Sequence, residues 1–271
     1  MVILFSDIDG TVTNKYSHAL EGTDIWINNL IYANIPVIFT SSKTFLEICE
    51  LQNALKINQP FIFENGSAIA IPYDQIQYYN KTSGEKLQNN FLVKPLAPKD
   101  FKFQICTDYI KELYPAEFFT LTTGDPKLLL KTTRLSEIAL RAAQARHFTE
   151  TYFFTIPDPS LDLINNKLNS LNAIAVKGSR FITVSHQATS KGKAIHTFLS
   201  MLRQTENKIT TISVGDGEND FSMFKETDRS YFLTNKADSV VEISNCILIN
   251  PEGPKGFIKV CKEILEKTSS I

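Results

Sequence analysis

Two short apolar runs, each ending abruptly in an acidic turn, constrain this chain more than any other feature. Val2-Ile3-Leu4-Phe5 runs into Ser6-Asp7-Ile8-Asp9-Gly10-Thr11, and Thr210 to Val214 runs into Gly215-Asp216-Gly217-Glu218-Asn219-Asp220. Runs of this length with little polar alternation are the pattern of strands covered on both faces in a parallel sheet. In such sheets ligands bind in the crevice beyond the carboxyl ends of the strands. Carboxylates two residues apart on an extended segment project toward the same side, which pairs Asp7 with Asp9. Like charges that close repel unless a cation or a shared proton compensates, and a hard, oxygen-preferring cation such as Mg²⁺ is the simplest compensation. If both turns meet in one crevice, Asp7, Asp9, Asp216 and Asp220 become candidate metal ligands drawn from opposite ends of the chain.

The remaining texture sets the architecture. A helix capped by Thr23 or Asp24, a second buried strand at Val37 to Thr40, a helix carrying Phe45, Ile48, Leu51 and Leu55, and a third strand at Phe61 to Phe63 make the N-terminal part α/β. From about residue 83 the chain becomes loop-like and then rich in Lys, Phe, Tyr and Leu. Helical spacing at 101–113, 136–146 and 161–171, with strands at 152–156, 173–176 and 181–184, predicts a separate α+β unit over 83–187. Alternating α/β texture returns afterwards, so the first domain is expected to be discontinuous, formed from 1–82 and 188–271. At 271 residues with 43% apolar side chains, the chain can bury a core without staples, which excludes intrinsic disorder.

Charge and cysteine usage exclude further classes. With 28 Lys plus Arg against 29 Asp plus Glu there is no basic excess for a polyanion, so no nucleic-acid partner is expected. No run reaches the ~20 apolar residues of a membrane span, and no signal peptide is expected at the N-terminus. Cys49, Cys106, Cys246 and Cys261 are scattered with no close pair, which fits the reduced thiols of a cytoplasmic protein. A near-neutral surface leaves monomer and homodimer equally open. His18, His147, His186 and His196 share no metal spacing and read as structural or solvated, and Trp26, Tyr78 and Tyr79 read as packing residues.

Two further turns supply donors. Ser41-Ser42-Lys43-Thr44 follows the second strand, and Ser190-Lys191-Gly192-Lys193 opens a helix. Hydroxyls, backbone N–H groups at a helix start and an ammonium together suit a phosphate.

In order, Asp7-Ile8-Asp9-Gly10-Thr11, Ser41 after the second strand, Lys191 and the turn from Gly215 to Asp220 resemble the four motifs of the haloacid dehalogenase superfamily. Within it, Phe39 to Thr44, Glu64-Asn65-Gly66-Ser67-Ala68-Ile69, Arg146 to Thr151, Gly178-Ser179-Arg180-Phe181 and Lys191-Gly192-Lys193-Ala194 resemble the mannosyl-3-phosphoglycerate phosphatase family. The resemblance implies a Rossmann-like parallel-sheet α/β core with an inserted α+β cap domain. It implies an Mg²⁺-dependent phosphatase in which Asp7 is the nucleophile, forming an aspartyl-phosphate, and Asp9 is the acid and then the base. Asp7, the backbone carbonyl of Asp9 and Asp216 would hold Mg²⁺, with Asp220 and Asn219 beside them, while Ser41 and Lys191 grip the phosphoryl group.

The substrate implied is a small phosphorylated sugar-acid, mannosyl-3-phosphoglycerate giving mannosylglycerate and phosphate. Its carboxylate suits Arg146 and Arg180, since Arg matches a planar carboxylate better than Lys does. Lys43, Asn65, Gly66 and Ser67 complete the expected substrate contacts. Glucosyl-3-phosphoglycerate, another sugar phosphate, or silent binding of a phosphometabolite are the alternatives. One departure from the family pattern is Ser190, where an Asp usually precedes Lys-Gly-Lys, after a segment about one residue longer than usual. Its expected effect is on substrate fit at the boundary of core and cap.

Overall fold

The computed structural model describes residues 1–80, 86–98, 100–178, 181–202, 209–235 and 243–268. The chain begins with β1 (Val2–Ser6), α1 (Thr23–Tyr32), β2 (Val37–Thr40), α2 (Phe45–Leu55) and β3 (Phe61–Phe63), then turns back through β4 (Ala68–Pro72), β5 (Lys86–Gln88) and β6 (Phe91–Pro95). A second group follows: α3 (Phe103–Leu113), β7 (Phe118–Thr120), α4 (Pro126–Thr133), α5 (Glu137–Gln144), β8 (Thr149–Phe154), α6 (Leu161–Leu168), β9 (Ala173–Lys177) and β10 (Ile182–His186). It closes with α7 (Lys191–Met201), β11 (Thr210–Gly215), α8 (Phe221–Phe224), β12 (Arg229–Leu233), β13 (Cys246–Ile249) and α9 (Pro254–Thr268).

Among the described residues, nine strands form one sheet in the order β13-β12-β11-β1-β2-β3-β4-β6-β5. The run from β13 to β3 is parallel, and β4, β6 and β5 extend it antiparallel. Side chains alternate across this sheet. Leu4, Val37, Phe39 and Val214 face α1, α2 and α9 through Ile27, Leu30, Phe45, Ile48, Phe257 and Val260. Ile3, Phe5, Ile38 and Ile62 face α7 and α8 through Ile195, Phe198, Met223 and Phe224. Both faces are covered, which is why these strands read as unbroken apolar runs.

The second sheet, β7-β8-β10-β9, is antiparallel throughout. On one face Tyr152, Ala175 and Val184 pack on α3 and α6 through Cys106, Ile110, Ile164 and Leu168. On the other, Phe153 meets Leu121, Leu129, Leu140 and Ala143, from α4, α5 and the turn after β7. The expected helices and strands of this unit are present, and β7 and α4 are additional to them.

One boundary differs from the expected 83–187 unit. β6 pairs with β4, and β5 with β6, so residues 86–95 belong to the nine-stranded sheet. The physical reason is aromatic packing: the Phe91 ring lies 5.6 Å from Phe45 and 5.2 Å from Phe61, and Val93 is buried in the same cluster. Tyr78, expected to pack, is 61% exposed, whereas Tyr79 is buried against Phe198. Among the described residues no helix is long and apolar enough to cross a membrane, and all four cysteines are unpaired thiols.

Phe45 sits at the first turn of α2, whose N-cap Thr44 and Glu47 form a reciprocal capping box, and its ring touches Phe61, Phe63 and Phe91. It joins the helix that carries the Ser41 turn to the antiparallel extension of the sheet. Phe45→Ala is expected to cost about 3–5 kcal/mol. Urea unfolding followed by circular dichroism measures this as a lowered midpoint.

Candidate active site

β1 and β11 are parallel neighbours, with Ser6 opposite Val214, and the Asp7 N–H donates to the Val214 carbonyl at 3.0 Å. The two acidic turns therefore leave adjacent strand ends side by side. Carboxylate oxygens of Asp7, Asp216 and Asp220 lie within 4.8 Å of one another. Gly10 makes this approach possible: its φ is +85°, and a Cβ there would sit 2.2 Å from Asp216 Oδ2. Thr11 Oγ1 donates to Asp216 Oδ1 at 3.3 Å.

Lys191, in the first turn of α7, sends its ammonium into this cluster. Its Nζ lies 2.6 Å from Asp7 Oδ1 and 2.6 Å from Asp220 Oδ1, with the side chain 1% exposed. Burial alone would favour the neutral amine, but the charges of Asp220 and Asp7 outweigh it and hold Lys191 protonated, above its usual range. Burial pushes the Asp7 carboxyl up, and Lys191 pulls against it. Asp216 is also pushed up, by burial and then by the charges of Asp7 and Asp220. Three carboxylates around one ammonium leave an excess of negative charge, and an all-oxygen donor set suits a hard divalent cation.

The three carboxylates are not equivalent. Asp220 Oδ2 accepts the N–H groups of Asp216 and Gly217, both at 3.0 Å, while its Oδ1 meets Lys191. Both of its oxygens are thus engaged in shaping the loop and holding the lysine. Asp7 and Asp216 instead line an open crevice of about 530 Å³, together with Asp9, Lys15, Ser42, Asn219 and Phe181.

Asp9 faces away from the acidic cluster. Its Oδ2 lies 3.0 Å from Lys43 Nζ, and its Oδ1 accepts from His18 Nδ1 at 3.2 Å and Thr13 Oγ1 at 3.3 Å. Burial would raise this carboxyl, yet the Lys43 ammonium and the His18 contact hold it well below the usual carboxylate range. Lys43 is itself placed by Glu47 of α2 at 3.4 Å, and its N–H donates to Ser41 Oγ at 3.2 Å. The carboxylates of Asp7 and Asp9 and the buried ammonium of Lys191 thus meet at the carboxyl ends of β1, β2 and β11.

The sequence profile of the haloacid dehalogenase-like hydrolases matches residues 4–260. The chain belongs to that family. A glucosyl-3-phosphoglycerate/mannosyl-3-phosphoglycerate phosphatase of Methanococcoides burtonii is 24% identical to this hydrolase, covering 99% of each chain. A mannosyl-3-phosphoglycerate phosphatase of Pyrococcus furiosus is 27% identical over 90% of this chain and 98% of its own. Among solved structures, a haloacid dehalogenase-like hydrolase from B. subtilis superimposes with a TM-score of 0.67 at 16% identity, over 97% of this chain and 99% of that one. The sucrose-phosphatase of Synechocystis sp. PCC6803 superimposes with a TM-score of 0.61 at 13% identity, over 97% of both chains.

The hydrolase fold gathers most, but not all, of the residues singled out by sequence. Asp7, Asp9, Lys43, Asn219 and Asp216 border the crevice or the cavity beside it, with Lys191 and Asp220 buried behind. Ser41 is buried at the end of β2, where its hydroxyl accepts the Lys43 N–H. Arg146 lines the cavity next to Asp9 and donates from Nη1 to the Ser42 carbonyl at 3.1 Å and Thr149 Oγ1 at 2.9 Å. Arg180 lies outside the described residues.

Asn65, Gly66 and Ser67, like Ser41, line neither space. They pack against the start of α7: Gly66, at φ +87°, leaves no room for a Cβ beside the Ser190 carbonyl, and Ser67 Oγ faces Thr189 at 3.5 Å. Ser190 itself is the N-cap of α7, accepting the Lys193 N–H at 3.1 Å, a task that Ser and Asp perform equally well.

Two residues stand out to which the sequence reading gave no role in the site. Histidines carry no spacing signal, and His18 reaches Asp9 from a loop. Glu64 is the other. Fully buried, it accepts the N–H groups of His147 and Phe148 at 3.0 and 2.8 Å and the Thr149 hydroxyl at 2.8 Å. Its own N–H donates to the Lys43 carbonyl, and Thr44 Oγ1 donates to the Ala142 carbonyl at 2.8 Å. The smaller sheet is therefore tied to the loop that carries Ser41 and Lys43. Glu64→Gln turns an NH₂ toward backbone donors and is expected to cost roughly 1–3 kcal/mol. Thermal unfolding of the variant and of the unaltered protein in parallel checks this.

Proposed function

We propose that this hydrolase cleaves the phosphate monoester of a small phosphorylated sugar-acid, with mannosyl-3-phosphoglycerate as substrate, giving mannosylglycerate and phosphate. The smaller α+β unit acts as the cap that selects the substrate, and the core made from both ends of the chain does the chemistry. The observation that carries this reading is Asp7 held between Lys191 and Asp216, with Asp9 on the neighbouring wall of the same crevice. The names of the Methanococcoides and Pyrococcus relatives support the substrate, and the former, named for both sugars, keeps glucosyl-3-phosphoglycerate as the second substrate to test.

Asp7 and Asp216, with the Asp9 backbone carbonyl, are the groups that would hold Mg²⁺, and Asp220 orients them through Lys191 and the 216–217 loop. The ion, when bound, lowers the repulsion between an attacking carboxylate and the phosphoryl oxygens. Asp7 attacks phosphorus directly, since a carboxylate needs no prior deprotonation, and the P–O bond to the sugar-acid breaks as the acyl phosphate forms. Lys191 and Ser41 offer fixed donors where negative charge builds up on the transferring group.

The leaving alkoxide needs a proton, and Asp9 supplies it and then takes one from the water that hydrolyses the acyl phosphate. In the free protein Asp9 is ionised by Lys43. A bound phosphate ester competes for that ammonium and adds its own negative charge, both of which favour protonation of Asp9. Arg146, in the lining of the cavity that Asp9 shares, is the group we assign to the carboxylate of the substrate.

Phosphate release from mannosyl- and glucosyl-3-phosphoglycerate, with Mg²⁺ and with chelator, tests the proposal. Asp7→Asn is expected to lower kcat by roughly a thousandfold or more, and chelation to stop turnover reversibly. Phosphate release by Asp7→Asn at the unaltered rate would overturn the mechanism. Mg²⁺ is also expected to raise the melting temperature of the unaltered protein and to leave that of Asp216→Asn unmoved, by differential scanning fluorimetry.

A further inference from the structure

The antiparallel sheet of the smaller unit carries a row of three aromatic rings that ends at the crevice. Phe119 on β7 pairs with Phe153 on β8, and the register of β8 with β10, Tyr152 opposite Ile182, puts Phe181 across from Phe153 on the other side. The rings follow that register. Phe119 and Phe153 stack with centroids 5.3 Å apart, and Phe153 and Phe181 lie tilted at 5.5 Å. Cross-strand aromatic contacts of this kind hold each ring by its neighbour. Side chains alternate along a strand, so Phe153 shares its face with Thr151 and with Thr149, whose hydroxyl donates to Glu64. The aromatic row therefore lies on the face of the sheet that looks toward the larger unit.

Phe181, at the end of the row, is only partly buried, whereas Phe153 is 6% exposed. Phe181 lines the crevice of about 530 Å³ that holds Asp7, Asp9 and Asp216, and it also lines a cavity of about 50 Å³ beside Asp9 and Lys43. Among the described aromatic residues it is the one that borders both. Phe221 and Phe232 reach the crevice from the larger unit, where they pack on each other and on Phe224. The Phe181 carbonyl accepts the Gly178 N–H at 2.8 Å, which closes the turn between β9 and β10 and fixes the backbone from which the ring projects. Asp9, which serves the leaving alcohol, borders both spaces as well, so the leaving sugar-acid passes beside this ring.

A phenyl ring has no donor for a phosphate or a carboxylate. It offers apolar area and a face of partial negative charge, which attracts C–H hydrogens made positive by neighbouring oxygens. Of the three parts of the proposed substrate, phosphate, glycerate carboxylate and sugar, the pyranose is the one that presents such C–H groups over a broad surface. We propose that Phe181 is a specificity-determining residue, a platform on which the pyranose ring packs while the phosphate lies at Asp7. The proposal rests on the phosphatase reading above for the identity of the substrate.

Phe181→Leu keeps apolar bulk against Phe153 and removes the flat face. 3-Phosphoglycerate has the phosphate and the carboxylate without the sugar, so the ratio of kcat/KM for mannosyl-3-phosphoglycerate to that for 3-phosphoglycerate isolates the sugar's share of transition-state binding. The ratio is expected to fall about tenfold in Phe181→Leu and to stay within about twofold in Phe181→Tyr, which keeps the ring. A ratio unmoved in Phe181→Leu, or an equal fall in Phe181→Tyr, would overturn the proposal. A purely structural role lowers both esters together and leaves the ratio in place.

Proton NMR of the product mannosylglycerate separates this from the function itself. Its pyranose C–H resonances are expected to move upfield on binding, through the ring current of Phe181, and to lose that displacement in Phe181→Leu. If the unaltered protein turns over no ester, or only the glycosylated one, this measurement decides. A displacement lost in Phe181→Leu sustains the platform even where the phosphatase reading has failed. Absence of binding to the unaltered protein, binding without an upfield displacement, or a displacement unchanged in Phe181→Leu overturns it. Should Phe181→Leu not fold, Phe181→Met takes its place in both measurements.

Discussion

The buried ion pairs of Lys191 with Asp7 and Asp220 are the interaction on which the rest of the site depends. Three carboxylates cannot share so small a buried volume without compensation, and one ammonium, 1% exposed, compensates only part of their charge. The charged groups come from three separate pieces of the chain, the turn after β1, the start of α7 and the turn after β11. Parallel pairing of β1 with β11 sets Asp7 beside Asp216, and the Ser190 cap starts α7 where Lys191 can reach Asp7 and Asp220. The residual negative charge makes the cluster receptive to a cation, which is the condition a carboxylate must meet before it can approach a phosphate dianion.

A second constraint links the smaller unit to this cluster. The loop after β2 carries Ser41 and Lys43, and the smaller α+β unit meets that same loop through the Ser42 carbonyl, Thr44 and Glu64. Glu64 has φ +47° and Asn65 +56°, backbone conformations that persist only where the surroundings hold them. Three donors from residues 147–149 supply that hold. The same turn abuts Ser190 through Gly66, so the smaller unit, the loop after β2 and the start of α7 all meet at residues 64–67.

Much of the architecture was legible in the order of apolar runs, because strands covered on both faces lose their polar alternation, as β1, β2 and β11 do. The misplaced boundary at 86–95 has a physical cause. Short strands such as β5 and β6 carry too few side chains to show which sheet they join, and their allegiance is set by Phe91 meeting Phe45 and Phe61 across the chain. β8 extends N-terminally to Thr149 because its polar residues find partners: Thr149 on Glu64, and Glu150 on the Thr122 hydroxyl and the Thr151 N–H. Polar side chains satisfied by tertiary contacts leave no local signal.

The sequence by itself determined the α/β class and put Asp7, Asp9, Lys191 and Asp216 forward as candidates, since these rest on local patterns: apolar period, turn chemistry and motif order. Only the tertiary structure decided the division of labour among them. It turned Asp9 toward Lys43 and His18 instead of the acidic cluster, engaged both oxygens of Asp220, and set Asn65 to Ser67 behind α7. Direction and partner are properties of packing between distant segments. A residue type can announce that a carboxylate is available, but burial and the charges around it settle what that carboxylate does.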